Sequence, residues 1–168
     1  PKRRKDLVSG LRRVAEALDR TPAQVPADPR WLQTRLARIA PAALGITNKT
    51  WQNVISNARS AMATCGIVRK RQRRASDLSP PWQDLWAAVQ ASKDKSLLSP
   101  LPRFVFFLDR IGVAPEDVRS DHALLYLDAV TSEEISKSPH TAYQHAVFGW
   151  NLAVDRLLVW PRQRLDMP

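Results

Sequence analysis

Apolar residues recur along this chain at helical spacing, in blocks separated by prolines, glycines and short polar runs. Leu7, Val8, Leu11, Val14, Ala15 and Leu18 mark a first helix over 6–19, with Arg12, Arg13 and Glu16 on its other face. Residues 1–5 read as a basic arm that is mobile at its start. Asp28-Pro29 opens a second helix, because Asp caps well and Pro suits the first helical position. Trp31, Leu32, Leu36 and Ile39 form its inner face, Arg30, Arg35 and Arg38 point outward, and Pro41 closes it. Thr47 or Asn48 caps a third helix, whose stripe is Trp51, Val54, Ile55, Ala58, Ala61, Met62 and Cys65. Gly66 stands where a left-handed C-cap residue belongs.

Beyond residue 78 the pattern resumes. Ser79-Pro80 opens a short helix through Trp82, Leu85, Trp86 and Val89, and the polar run 90–96 reads as a loop. A helix over 98–111 carries Phe104, Val105, Phe107, Leu108 and Ile111, with Pro100 and Pro102 tolerable in its first turn. Gly112 ends it. Ser120 caps a helix through Ala123, Leu124, Tyr126, Leu127 and Val130, and a polar segment 131–137 follows. Ser138-Pro139 opens the last helix, with Tyr143, Val147, Trp150, Val154, Leu157 and Leu158 on its stripe. No stretch alternates as a strand does, so the predicted fold class is all-α.

The two halves share a pattern. Leu18-Asp19-Arg20, Pro22, Val25, Asp28 and Trp31-Leu32 match Leu108-Asp109-Arg110, Pro115, Val118, Asp121 and Leu124-Leu125, the offset growing from 90 to 93. Such similarity predicts one helical module used twice. The expected organisation is a helical domain over 1–67, a basic linker over 68–78, a second bundle over 79–161 and an exit linker over 162–168.

Charge divides unevenly between the halves. Residues 1–75 hold 17 Lys/Arg and 4 Asp/Glu, a net +13, while residues 76–168 hold 9 and 12, a net −3. That asymmetry points to a polyanionic partner, nucleic acid above all, engaged through the N-terminal half. The strap Arg69, Lys70, Arg71, Arg73 and Arg74 is the densest cationic stretch; a basic linker with no defined partner would look the same. The third helix has a polar face of Lys49, Gln52, Asn53, Ser56, Asn57, Arg59 and Ser60. Asn and Ser are mediocre helix formers, so this face is either solvated surface or one made to hydrogen-bond phosphates and bases.

No apolar run approaches the roughly 20 residues of a membrane helix. No apolar leader precedes the first helix, and the single Cys65, expected to be buried and inert, fits a reducing compartment. A cytoplasmic, nucleoid-associated protein is expected. Phosphate-loop, dinucleotide, nucleophile-elbow and metalloprotease motifs are all missing. His140 and His145 lie roughly 140° apart around a helix and share no face. No catalytic residue, metal ligand, cofactor or small-molecule substrate is therefore assigned.

The stretch Leu97-Leu98-Ser99-Pro100-Leu101-Pro102-Arg103-Phe104-Val105-Phe106-Phe107-Leu108, then Gly112 to Val118, Ser138-Pro139-His140-Thr141 and Trp150-Asn151, resembles the core-binding domain of tyrosine recombinases, the phage-type integrases. Pro41 to Ile46 and Trp51-Gln52-Asn53-Val54 are similar to the N-terminal extension of alpha-proteobacterial integrases. The resemblance implies two tandem small bundles of SAM-like, core-binding type, joined by the basic linker. It implies the DNA-holding half of a recombinase that integrates or excises a mobile element. Its partners would be double-stranded DNA and further protomers on that DNA, with a separate catalytic domain following Pro168. One departure is the acidic balance of the second half, where a core-binding domain is basic.

Candidate DNA-binding residues are the strap cations, Lys49, Asn53 and Asn57 on the third helix, and Lys93, Lys95, Arg103, Lys137, His140, Thr141 and Gln144 in the second half. The start of the last helix also offers backbone N–H groups to a phosphate. Two other readings remain: a helical adaptor binding a protein through its acidic half and an exposed Trp82/Trp86 face, and a transcription factor with residues 48–57 as recognition helix. A reading frame running past codon 168 into an Arg-rich, Tyr-ended segment favours the recombinase, and a stop codon there removes it.

Overall fold

The computed structural model describes residues 2–68, 74–133, 135, 136 and 138–167, which form eight α-helices and no strand. The fold class is all-α, as the periodicity predicts. By their contacts the residues divide into one unit of Pro1–Lys70 with Ala129–Ser138, and a second of Arg71–Asp128 with Pro139–Pro168.

In the first unit α1 spans Lys2–Ala17, α2 Pro29–Leu36 and α3 Asn48–Thr64. Residues 2–5, expected as an arm, are helical, since Lys and Arg are good helix formers and the apolar stripe behind them anchors the turn. Asp28 caps α2, accepting from the Arg30 N–H at 2.8 Å and the Trp31 N–H at 3.3 Å. This helix stops at Leu36, and Pro41 opens a 3₁₀ turn, Pro41–Leu44, instead of closing α2. Val14, Leu32, Leu36, Trp51, Val54, Ile55, Ala58 and Met62 build the core, and Ile135 of the Ala129–Ser138 segment joins it. Beside Ile135 the buried Ser136 N–H donates to Gln33 Oε1 at 2.7 Å. α1 crosses α3 at Gly10, where a Cβ would fall 2.7 Å from Asn57 Cβ and 2.9 Å from the Ala58 nitrogen. Cys65, placed on the stripe by its spacing, is exposed, because α3 ends at Thr64 and the chain turns there.

The second unit holds α4 Pro80–Ser92, α5 Lys95–Leu98, α6 Leu101–Arg110, most of α7 Ser120–Ser132, and α8 Pro139–Arg156. Its core is aromatic: Phe104 lies 5.2 Å from Tyr126 and 6.1 Å from Trp150, and Trp150 meets Trp82 and Trp160 edge-on. Trp82 and Trp86, which the adaptor reading alone places on an exposed face, are core residues at 1% and 7% exposed, and Trp82 Nε1 donates to the Val113 carbonyl. The run 90–96 is no loop: α4 continues through Ser92, turns at left-handed Lys93, and Asp94 caps α5. Leu124 lies on the outer side of α7, and Leu158 lies past the end of α8, so neither joins the core. Residues 162–167, read as an exit linker, run along the unit. Leu165 is buried, its N–H and carbonyl both bonded to the Asn151 side-chain amide at 2.8 Å.

Both units repeat one sequence of elements at a nearly constant offset. The end of α1 closes with Asp19 left-handed and the Arg20 N–H on the Ala15 carbonyl; α6 closes with Gly112 left-handed and the Val113 N–H on the Leu108 carbonyl. A 3₁₀ turn follows in each, Pro22–Gln24 and Pro115–Asp117. All these residues stand 93 apart, so the structural counterpart of Leu18-Asp19-Arg20 is Ile111-Gly112-Val113 rather than Leu108-Asp109-Arg110. The buried residues Trp51, Val54, Ile55, Ala58, Arg59, Ala61 and Met62 of α3 correspond, 92 positions on, to buried Tyr143, Ala146, Val147, Trp150, Asn151, Ala153 and Val154 of α8.

Candidate nucleic-acid interface

α3 carries the best-formed candidate surface. Thr47 Oγ1 accepts from the Thr50 N–H at 3.1 Å and fixes the helix start. Lys49, Asn53 and Asn57 then follow at four-residue intervals, which puts them in one row along the helix, spanning about 12 Å. Lys49 and Asn53 are exposed and Asn57 is half-buried, its Oδ1 accepting from Arg3 Nη1 at 3.0 Å. The polar face is narrower than the sequence implies. Ser60 and Thr64 turn their hydroxyls back onto the Ser56 and Ser60 carbonyls, at 2.8 and 2.9 Å. Arg59 is buried rather than part of that face.

The strap lies almost wholly outside the described residues. Arg69, Lys70, Arg71 and Arg73 belong to that stretch; Arg74 is exposed, its N–H donating to Asp77 Oδ2 at 3.3 Å. Lys137 also lies outside the described residues.

In the second unit the candidates separate by environment. Lys93 and Lys95 are exposed and flank Asp94. That carboxyl is held below its ordinary range by hydrogen bonds from the Ser96 side chain, then from Arg156 and the Ser96 N–H, so it offsets the local positive charge. Arg103 is half-buried with its guanidinium 6.0 Å from the Tyr126 ring centre, turned inward rather than presented to solvent. His140, Thr141 and Gln144 are exposed on the first turns of α8. By the burial match, Lys49, Asn53 and Asn57 correspond to Thr141, His145 and Gly149. The sequence had preferred His140 to His145, although His145 is exposed and occupies Asn53's place. Gly149 ends that row without a side chain, because a Cβ there would fall 2.8 Å from Pro100 Cγ.

Sequence reasoning passed over α1. Arg3, Arg4, Lys5, Arg12 and Arg13 are all exposed on a regular helix. The signal was present in the spacing, but assigning residues 1–5 to an arm split the set in two. Among the described residues no three His, Cys, Asp or Glu side chains converge as a metal site, and no helix is long and apolar enough to cross a membrane. Comparison with protein-family models, with curated proteins and with solved structures finds no match to this chain.

Proposed function

We propose that this chain binds duplex DNA as the DNA-holding part of a site-specific tyrosine recombinase. The observation that carries the reading is the segregation of charge. Of the net +13 of residues 1–75, a net +8 (12 Lys/Arg, 4 Asp/Glu) falls on residues 2–68, where exposed α1 and α3 residues include Arg3, Arg4, Lys5, Arg12, Arg13, Lys49 and Asn53. Phosphate neutralisation by such cations supplies affinity without sequence preference, and amides in a row supply contacts to base edges. The recombinase component of the reading rests on the resemblance of the second half to a core-binding domain. Further protomers on the same DNA are its expected protein partners. The adaptor alternative loses its aromatic face, since Trp82 and Trp86 are core residues, and retains only the acidic balance of the second half.

The test is binding of the chain to mixed-sequence duplex DNA over a salt series, beside a variant with Arg69, Lys70, Arg71, Arg73 and Arg74 all changed to Ala. Each phosphate contact contributes about 0.9 to the slope of log K against log salt, so the variant's slope is expected to fall by up to about 4.5. Absence of binding at low salt would remove DNA as the partner. Equal affinity for every duplex would leave a non-specific DNA binder and discard the recombinase.

A further inference from the structure

We propose that the outward face of α1, through Arg4, Lys5, Arg12 and Arg13, is a phosphate-binding surface for duplex DNA. The inference rests on the DNA-binding reading above and assigns it residues that neither the strap nor α3 includes.

The internal repeat shows that this face is open. Leu101, Phe104 and Val105 of α6 are 0%, 0% and 1% exposed in the second unit. Their counterparts 93 positions earlier are Val8 and Leu11, 40% and 37% exposed, and Arg12, also exposed. The second unit has two further helices, α4 and α5, for which the first unit has no counterpart among the described residues. The matching positions of α1 are exposed, and Arg4, Lys5, Arg12 and Arg13 stand on and around them.

A solvated surface is the plain alternative, and the charge pattern argues against it. Exposed helices gain from acidic residues in the first turn and from opposite charges four apart, of which these four cations have one, Arg12 with Glu16, in the less favourable order. α1 has no acid in its first turn, where Arg3, Arg4 and Lys5 oppose the helix dipole. The shallow concavity along the helix is lined by Arg4, Lys5, Arg12 and Arg13 together with Val8 and Ser9, and Glu16 lies at its end as the single acid. Among the described residues no carboxylate pairs with any of these four cations. Such concentrated positive charge, unfavourable for the isolated helix, is relieved by a bound polyanion.

Geometry favours a duplex. Arg4 and Lys5 stand eight residues from Arg12 and Arg13, about 12 Å along the axis. That is about the width of the B-DNA major groove, so the two pairs reach phosphates flanking one groove. The Arg3–Asn57 hydrogen bond ties the start of α1 to α3 on the opposite side of the helix, which leaves the Arg4–Arg13 face free to meet a duplex.

The decisive variant is Lys5→Gln, Arg12→Gln and Arg13→Gln in the full chain, which keeps good helix formers on an exposed face. Fluorescence anisotropy with a mixed-sequence duplex over a salt series is expected to show a slope reduced by about three. In the unaltered chain, DNA is expected to slow acetylation of Lys5, a readout that does not depend on the variant's folding. Binding by the unaltered chain, with slope and Lys5 reactivity both unmoved, would overturn the α1 surface and leave the DNA reading standing. No DNA binding at all would overturn both. A change confined to duplex RNA would assign the face to RNA instead.

Discussion

At Gly10 the lack of a side chain sets how closely α1 and α3 approach. A Cβ there meets the Ala58 backbone nitrogen, which cannot rotate away. Gly10→Ala gains about 1 kcal/mol of helix propensity but is opposed by overpacking of about 1–3 kcal/mol. The expected net result is a lower urea midpoint; a raised midpoint would show that the crossing accommodates a methyl group. The protonation of Asp94 bears on stability. Its folded pKa is lowered, first by the Ser96 side chain and then by Arg156. Its contribution is complete above the ordinary carboxylate value of 3.8 and is lost as the pH falls through the lower folded value. Asp94→Asn should therefore flatten the acid limb of a stability-versus-pH curve and leave no dependence of that origin near neutrality. An acid limb unchanged in Asp94→Asn would dismiss the linkage.

Among the elements, the helices were the legible part, because stripes such as Trp51, Val54, Ile55 and Ala58 have one period and one interpretation. Their ends were less so. The sequence match of Leu18-Asp19-Arg20 with Leu108-Asp109-Arg110 is three residues out of structural register, because a left-handed residue closes each helix and it is Asp in one and Gly in the other. Residue identity hid an equivalence that backbone conformation makes plain. Residues 162–167 failed for a different reason. Their docking depends on Asn151, a side chain that mimics a paired strand by donating to and accepting from Leu165. An Asn inside a helix pattern carries no local sign of that role. Asn151→Ala leaves the buried Leu165 N–H and carbonyl without partners, at an expected cost of about 1–3 kcal/mol. Amide exchange should rise at Leu165 and leave α3 unaffected; protection unchanged at Leu165 would mean that the segment is held by its other bonds, among them Trp150 Nε1 to the Gln163 carbonyl and the Asp166 N–H to Ser120 Oγ.

For the whole chain, the candidate site was legible as charge and illegible as surface. Counting cations assigns the basic excess to the first half, but α1 emerges as a face only once residues 2–5 are helical and its counterpart α6 is seen to be covered. The same limit applies to chain connectivity. Segment 131–137 reads as polar, and one isoleucine in it has no period by which to declare itself. The structure nonetheless assigns Ala129–Ser138 to the first unit, with Ile135 2% exposed in its core and Ser136 bonded to Gln33, 103 residues away. The first unit is thus completed by residues that follow most of the second in sequence. Removing a buried aliphatic side chain to Ala costs about 2–5 kcal/mol, so Ile135→Ala is expected to destabilise the unit holding Trp51 by that amount. A variant Ser136→Pro removes the N–H that Gln33 accepts and should act in the same direction. Amide exchange resolves the effect by location: α3 should lose protection in Ile135→Ala, and the α6 and α8 core around Phe104 should keep it. Loss confined to residues 129–138 would show that the first unit stands without them.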